Sequence, residues 1–179
     1  MKKLFLGIAI AVSSLTFAQQ FGAKAGLNVS NVSNSELNSK AGFYGGVFMN
    51  APLSSQFNIQ PELLYNSLGA KKGDVKLNLD YISVPVMFQY KATPEFFLEA
   101  GPQFGFLINA KAKEGSHSLD IKDETNGFDF GFGLGAGYWF TDKIGANARY
   151  VAGFTDVVKH NDGDAARNNN FQVGLNYKF

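Results

Sequence analysis

The sequence predicts an all-β chain folded as an eight-stranded antiparallel up-and-down β-barrel, and three observations lead to that prediction. Glycine (20 residues) and phenylalanine (18 residues) are both abundant in the 179-residue chain, while good helix formers are sparse. Apolar residues alternate with polar or very small ones in eight segments bounded by turn-forming residues. The connections between the segments alternate between short and long, as expected when consecutive hairpins form a barrel.

The first 18 residues are predicted to be a signal peptide, leaving one barrel domain over residues 19–179. Lys2 and Lys3 precede an apolar run over residues 4–17, and Ala18 completes a small-x-small cleavage pattern. The run is shorter than the roughly 20 apolar residues that a transmembrane helix needs. We therefore expect export and cleavage near Ala18.

Composition excludes several classes of function. Without Lys2 and Lys3, 14 basic residues face 15 acidic ones, so the chain lacks the basic surplus typical of nucleic-acid binding. There is no cysteine, which excludes disulfides and thiolate metal sites. We expect no cofactor and no bound metal.

The eight segments are expected to form strands in a single meander. Short connections follow the second, fourth and sixth segments, and long polar ones follow the others, so all short turns fall at one end. Outer-membrane barrels have this layout, with periplasmic turns and longer external loops. The predicted strands are 19–30, 40–51, 55–68, 75–91, 95–112, 126–140, 143–155 and 168–179.

One face of nearly every segment is apolar, and it predicts the lipid-facing side. Segment two, AGFYGGVFMN, fits either register. Aromatic residues near strand ends, such as those in YWF at 138–140, are expected at the membrane interface. In chain order the other segments carry Phe21, Ala23, Ala25, Leu27; Phe57, Ile59, Leu63, Tyr65; Ile82, Val84, Val86, Phe88, Tyr90; Phe96, Leu98, Phe104, Phe106, Ile108; Phe128, Phe130, Phe132, Leu134, Ala136, Tyr138, Phe140; Ile144, Ala146, Ala148, Tyr150, Phe154; and Phe171, Val173, Leu175, Tyr177, Phe179.

The opposite face mixes glycines with polar and charged residues and is predicted to fill a narrow lumen. Charges removed from bulk water need partners, so we expect a structural salt-bridge network here, with no catalytic role. Its predicted members are Lys24, Glu62, Glu99, Arg149 and Lys178. Glycines at 131–137 would give large lumen residues room. Strand prolines Pro61, Pro85 and Pro102 predict β-bulges, because a closed barrel has no free edge for a missing N–H group.

Four stretches carry a family resemblance: FGAKAGLNVSNV at 21–32, YISVPVMFQYK at 81–91, EAGPQFGFLINAKAK at 99–113 and the terminal VGLNYKF. They resemble the PorT-like outer membrane β-barrel family, usually labelled porin family protein, over the whole mature chain. The resemblance implies a transmembrane barrel in the outer membrane of a Gram-negative bacterium. Its motifs are structural, so the expected role is structural, surface interaction or small-solute passage through a narrow or plugged lumen.

The last segment, FQVGLNYKF, resembles the terminal strand by which outer-membrane barrels are delivered to the barrel assembly machinery. Its alternating face is Phe171, Val173, Leu175, Tyr177 and Phe179. The expected partners are thus outer-membrane lipid and that machinery, and the expected state is a monomer with no nucleic-acid partner.

Two alternatives stay open at the level of sequence. One is a soluble periplasmic lipocalin-like barrel that binds an apolar ligand inside. The other is an outer-membrane enzyme with a rim site, for which the loops offer histidines beside hydroxyls and acids. The candidate groups are His117 with Ser116, Ser118 and Asp120, and His160 with Asp156, Asp162 and Asp164.

Overall fold

The computed structural model describes residues 19–33, 38–114, 117–159 and 165–179. These contain nine β-strands and one short 3-10 helix. The predicted signal peptide, Ser116 and the group of His160, Asp162 and Asp164 lie outside the described residues. The strands are β1 (Gln20–Val32), β2 (Asn38–Pro52), β3 (Phe57–Lys72), β4 (Val75–Lys91), β5 (Phe96–Glu114), β6 (His117–Asp120), β7 (Phe128–Trp139), β8 (Ile144–Asp156) and β9 (Arg167–Lys178), and the 3-10 helix is Lys122–Glu124.

Eight of these strands close into an antiparallel barrel, which confirms the predicted fold class. Each barrel strand pairs with the next along the chain, β5 pairs with β7, and β9 pairs with β1 to complete the ring. The ninth strand, β6, pairs with β5 outside the ring. The connection between the fifth and sixth predicted segments was expected to be a plain loop, and it instead carries β6 and the 3-10 helix.

The connection between β3 and β4 was predicted to be long and is instead a turn of two residues, 73–74. The three turns at the opposite end, after β2, β4 and β7, share one hydrogen-bonding pattern. In each, the N–H of the first turn residue donates to the carbonyl oxygen four positions on, as from Leu53 to Phe57 at 2.8 Å. A Ser or Thr at the second position accepts the N–H of that same later residue, with Phe57 N to Ser54 Oγ at 3.1 Å. The other two turns repeat both contacts around Thr93 and Thr141. Local side-chain acceptors of this kind favour a turn over continued pairing.

The outward face of the barrel is a continuous apolar belt. Leu27 and Leu134 expose 71% and 65% of their surface, while their chain neighbours on the inward face are buried or glycine. The apolar stretch of β1 runs from Phe21 to Val29, close to the 9–11 residues with which a tilted strand crosses a bilayer. Among the described residues, no helix is long and apolar enough to cross a membrane.

The expectation of bulges at the strand prolines is wrong. The β3–β4 ladder skips two positions after Pro61 and resumes at Leu64 in the same register. The β4–β5 ladder likewise skips two positions after Pro85 and resumes at Phe88, again without a shift. Pro102 stays in register opposite Phe132. Each proline lies in a gap of one of its two ladders: Pro61 in β2–β3, Pro85 in β3–β4 and Pro102 in β4–β5. These short gaps accommodate the missing N–H groups and keep the alternation of faces that a bulge would reverse.

The register shifts lie toward the long-loop end instead. They fall between Ser39 and Tyr44 on β2, between Asp80 and Tyr81 on β4, and between Ala152 and Asp156 on β8. The first of these settles the register that the sequence left open. Tyr44 and Phe48 of β2 are buried in the lumen.

Candidate functional site: the barrel lumen and its two ends

Four charged side chains form one layer across the lumen. Counted round the ring, their strands β1, β3, β5 and β8 are the first, third, fifth and seventh, so alternate strands each contribute one residue. This arrangement suits a narrow barrel, in which inward residues of alternate strands share a level. The four residues, the charge layer from here on, are Lys24, Glu62, Glu99 and Arg149.

Arg149 holds the layer together. Its Nη1 and Nη2 donate to the two carboxylate oxygens of Glu62 at 2.9 and 2.8 Å, and its Nε donates to Glu99 at 2.7 Å. Lys24 Nζ donates to Glu62 at 2.9 Å. All four side chains are 0–1% exposed. The two positive and two negative charges balance, and each is hydrogen-bonded, as buried charges require.

Glycines on the inward face leave the space that the large lumen side chains occupy. A Cβ on Gly133 would lie 3.1 Å from Met87 and 3.3 Å from Arg149. A Cβ on Gly137 would collide with the ring of Phe97, and one on Gly26 would lie 2.7 Å from the Tyr44 ring. At Gly133 and Gly137 of β7 the missing side chains thus leave room for large lumen side chains from β4 and from the two strands that pair with β7.

Lys178 does not belong to the charge layer, although the sequence predicted it there, because its side chain lies at another level of the lumen. On β9, Asn176 pairs with Lys24 at the level of the charge layer, whereas Lys178 pairs with Gly22, one inward position nearer the short-turn end. There its Nζ lies 3.7 Å from the centroid of the Trp139 ring, a cation–π contact. A displacement of two residues along β9 therefore leaves Lys178 too far from the carboxylates of Glu62 and Glu99 to pair with them.

A network of amide side chains connects the charge layer to the short-turn end. Asn50 Nδ2 donates to Gln60 at 2.9 Å and to Gln89 at 2.7 Å. Gln60 donates onward to Glu62 at 2.8 Å, and Gln89 to Glu99 at 3.1 Å. A polar pocket of about 160 Å³ opens beyond them at this end. It is lined by Gln20, Asn50, Asn58, Gln89, Lys91, Pro94, Phe97, Trp139 and Lys178.

The lumen is also filled on the other side of the charge layer. Gln172 of β9 donates to Asn66 of β3 at 2.9 Å, and Asn66 donates to Ser83 at 3.0 Å. Nearer the long loops the filling becomes apolar, and Ile121 from the connection before β7 packs against it. This apolar cluster is Leu68, Leu79, Tyr81, Leu107, Ala110 and Val157.

Among the residues that the structure describes, the candidates for a rim enzyme do not form a catalytic arrangement. His117, Ser118 and Asp120 are all exposed on β6, and Asp120 Oδ1 accepts the Lys122 N–H at 3.0 Å. No hydrogen bond links His117 to Ser118 or Asp120 within the described part of the chain. Nor do the described residues contain a group of three or more His, Cys, Asp or Glu placed to hold a metal ion.

The sequence prediction missed Tyr44, which lies buried beside the charge layer with its hydroxyl 3.5 Å from Asn147. Tyr44 follows the register shift of β2, and the sequence of this strand fits either register, so the pattern did not indicate that its side chain points inward. Alternation also places Gln60 and Gln89 on the inward face, but their hydrogen bonds to the carboxylates depend on contacts between strands.

Comparisons with known proteins agree with this geometry. Residues 17–159 match the family model described as outer membrane protein beta-barrel domain. Curated protein sequences gave no match.

Solved structures with the same fold include three bacterial barrels. Neisserial surface protein A (NspA) shares 15% identity, covering 90% of this chain and 97% of that one, with a TM-score of 0.60. Ail, the attachment invasion locus protein of Yersinia pestis, shares 14%, covering 91% and 100%, with a TM-score of 0.58. OprG from Pseudomonas aeruginosa shares 10%, covering 90% and 96%, with a TM-score of 0.50. At these identities the likeness concerns the fold alone.

Proposed function

We propose, from the premise that this chain belongs to the outer membrane protein β-barrel domain family, that it is a membrane-anchored barrel with a closed lumen. In this proposal the apolar belt anchors the chain in the outer membrane. The lumen serves as a rigid core, and the long-loop end meets the outside of the cell. The protein would thus act as a structural or surface-interaction barrel, and not as an open pore.

The observation that carries the closed lumen is the position of Arg149. It bridges Glu62 on the opposite wall and Glu99 on a nearer strand, and all three side chains are fully buried. An eight-stranded barrel has room for little beyond its own side chains. Amides on one side and the apolar cluster on the other occupy the remaining length, so solute passage would require several layers to separate together.

The exposed belt favours the membrane barrel over the soluble lipocalin-like alternative. In a soluble ligand-binding barrel the apolar residues would line the interior and the charges would face water. Here Phe88 and Leu175 are more than half exposed, whereas Glu62 and Arg149 are buried. Soluble proteins rarely expose a contiguous apolar surface of this extent.

Conductance in planar bilayers tests the closed lumen. We expect no discrete openings from the purified barrel. The variant E62G/R149G removes two side chains of the charge layer that meet across the lumen, and we expect it to stay closed as well, because the amides and the apolar cluster still fill the lumen on either side. Stable unitary openings of the unaltered protein would overturn the proposal in favour of solute passage.

Export, assembly and finer family membership belong to the same proposal. We infer cleavage after Ala18, delivery to the assembly machinery through the exposed face of β9, a monomeric barrel and membership of the PorT-like group. Fractionation with detergent and gel mobility before and after boiling test the location, since a folded membrane barrel changes mobility only on heating. The mass of the mature chain tests the cleavage site. Extraction without detergent would contradict the proposal.

A further inference from the structure

A row of three lysines crosses the barrel wall where β3, β4 and β5 extend beyond the apolar belt at the long-loop end. Lys71 of β3 pairs with Lys76 of β4, and Lys76 pairs in turn with Lys113 of β5. We call these three residues the lysine row. All three are exposed. They share the outward face, because the residues next to them in the chain face inward. Leu77, next to Lys76, packs against the apolar cluster, and Ala112, next to Lys113, pairs with Leu77.

The row brings like charges together without compensation. Residues directly opposite on antiparallel strands have Cβ atoms roughly 4.5–5.5 Å apart, and like charges there destabilise the sheet. Within the described residues, none of the three lysines has a carboxylate at salt-bridge distance. Two acids of this region have other hydrogen-bond partners. Asp80 accepts a hydrogen bond from Asn109 at 2.9 Å, and Asp120 accepts one from the Lys122 N–H at 3.0 Å.

The height of the row points to the class of its partner. On β4 the last apolar outward residue is Ile82, six positions from Lys76, which places the row on the order of 10–15 Å beyond the belt for a tilted strand. That level lies among the polar headgroups outside the hydrocarbon. Long lysine side chains can also bend back toward the membrane surface.

We propose that the lysine row binds the phosphate groups of a glycolipid in the outer leaflet. A row of ammonium groups spanning three neighbouring strands matches several phosphates held on one sugar headgroup, and bound phosphate would remove the repulsion within the row. This inference rests on the proposed function, because it requires the long-loop end to face outward in a membrane.

The test uses the full mature barrel in zwitterionic detergent micelles, with rough lipopolysaccharide bearing a phosphorylated core as the probe. The row variant is K76Q/K113Q. The matched control is K91Q/K143Q, which removes the same charge at the short-turn end. We expect the probe to raise the unfolding temperature of the unaltered protein and of the control. The row variant should bind roughly 30-fold more weakly, because two of its surface cations are lost.

Two further arms make the outcome decisive. Without probe, the row variant should be at least as stable as the unaltered protein, since repulsion is relieved, and this shows that it folds. The same glycolipid stripped of phosphate should leave the unaltered protein unshifted, and so should inorganic phosphate. Equal binding by the row variant and the control would overturn the inference, as would an equal response to inorganic phosphate. Heat-dependent gel mobility of the same samples reports insertion, so a chain that fails to form a membrane barrel is recognised as a failure of the proposed function itself.

Discussion

Arg149 reaches from β8 to Glu62 on β3, the strand directly opposite in the ring, and binds both of its carboxylate oxygens at 2.9 and 2.8 Å. A bidentate pair of this kind fixes both position and orientation. It ties two walls that are far apart in sequence and share no ladder. The barrel is therefore cross-linked through its interior as well as closed by its hydrogen-bonded wall.

Removing the arginine should be strongly destabilising. Arg149→Met leaves Glu62 and Glu99 buried without their main partner, and breaking a buried pair in this way costs about 3–5 kcal/mol. The matched control is Arg167→Met, because Arg167 is exposed at the start of β9. Urea unfolding in detergent micelles measures the difference. Equal stability of the two variants would show that the charge layer carries little of the fold.

Replacing the whole charge layer should be far milder than removing one member. The variant K24M/E62M/E99M/R149M fills the same space with apolar side chains, and such exchanges of complete buried ion groups are often neutral or stabilising. We expect its urea midpoint to lie above that of Arg149→Met. A urea midpoint below that of Arg149→Met would mean that the four charges stabilise the fold by more than an apolar filling of the same space does.

The lumen glycines should be intolerant of even one methyl group. Gly137→Ala places a Cβ against the Phe97 ring and 2.9 Å from the Ala146 carbonyl oxygen, so a packed side chain must move. At Gly45 the nearest atoms are 3.7 and 3.8 Å away. Gly45→Ala should therefore be neutral or slightly stabilising, since alanine also restricts the unfolded chain. Thermal unfolding of both variants checks the contrast, and a neutral Gly137→Ala would refute it.

A charge on the belt should destabilise the barrel only in a membrane. Leu134 lies midway along β7, and a lysine at the bilayer midplane of a barrel costs about 2–4 kcal/mol. Leu119, 70% exposed on β6 outside the ring, provides the control. The free energy of unfolding in lipid vesicles should fall for Leu134→Lys and stay unchanged for Leu119→Lys. No loss for Leu134→Lys would argue for a soluble barrel.

The side-chain acceptor in the first short turn should contribute a measurable part of the stability. Ser54 Oγ accepts the N–H groups of Gln56 at 3.3 Å and Phe57 at 3.1 Å. Ser54→Ala should therefore cost about 1 kcal/mol. Ser55, next in the chain, has no hydroxyl hydrogen bond among the described residues, and Ser55→Ala should leave the urea midpoint unchanged. A similar loss for both would assign the effect to the turn backbone.

The terminal aromatic residue should matter for assembly more than for stability. Phe179 is 71% exposed, so Phe179→Ala should barely alter the urea midpoint of refolded protein. In cells, we expect its yield in the outer-membrane fraction to fall several-fold if β9 is the assembly signal. Leu27→Ala, equally exposed on β1, should keep its yield. Matching yields would remove β9 from that role.

Period-two alternation was enough to determine the faces of every barrel strand except β2. Because side chains of a strand point alternately to two sides, the outward placement of Leu134 and the inward placement of Glu99 followed from the chain alone. The alternation of short and long connections likewise implied the order of pairing, and the structure confirms the closed ring.

The tertiary structure decided what meets across the lumen. Whether an inward charge joins the charge layer depends on its height along the barrel, which strand register sets, so Lys178 contacts Trp139 while Arg149 finds Glu62. The direction of Tyr44 depends on the register shift of β2. Alternation is a local property of one strand, whereas register and cross-lumen distance arise only when eight strands close together, and the chemistry of the interior follows from that closure.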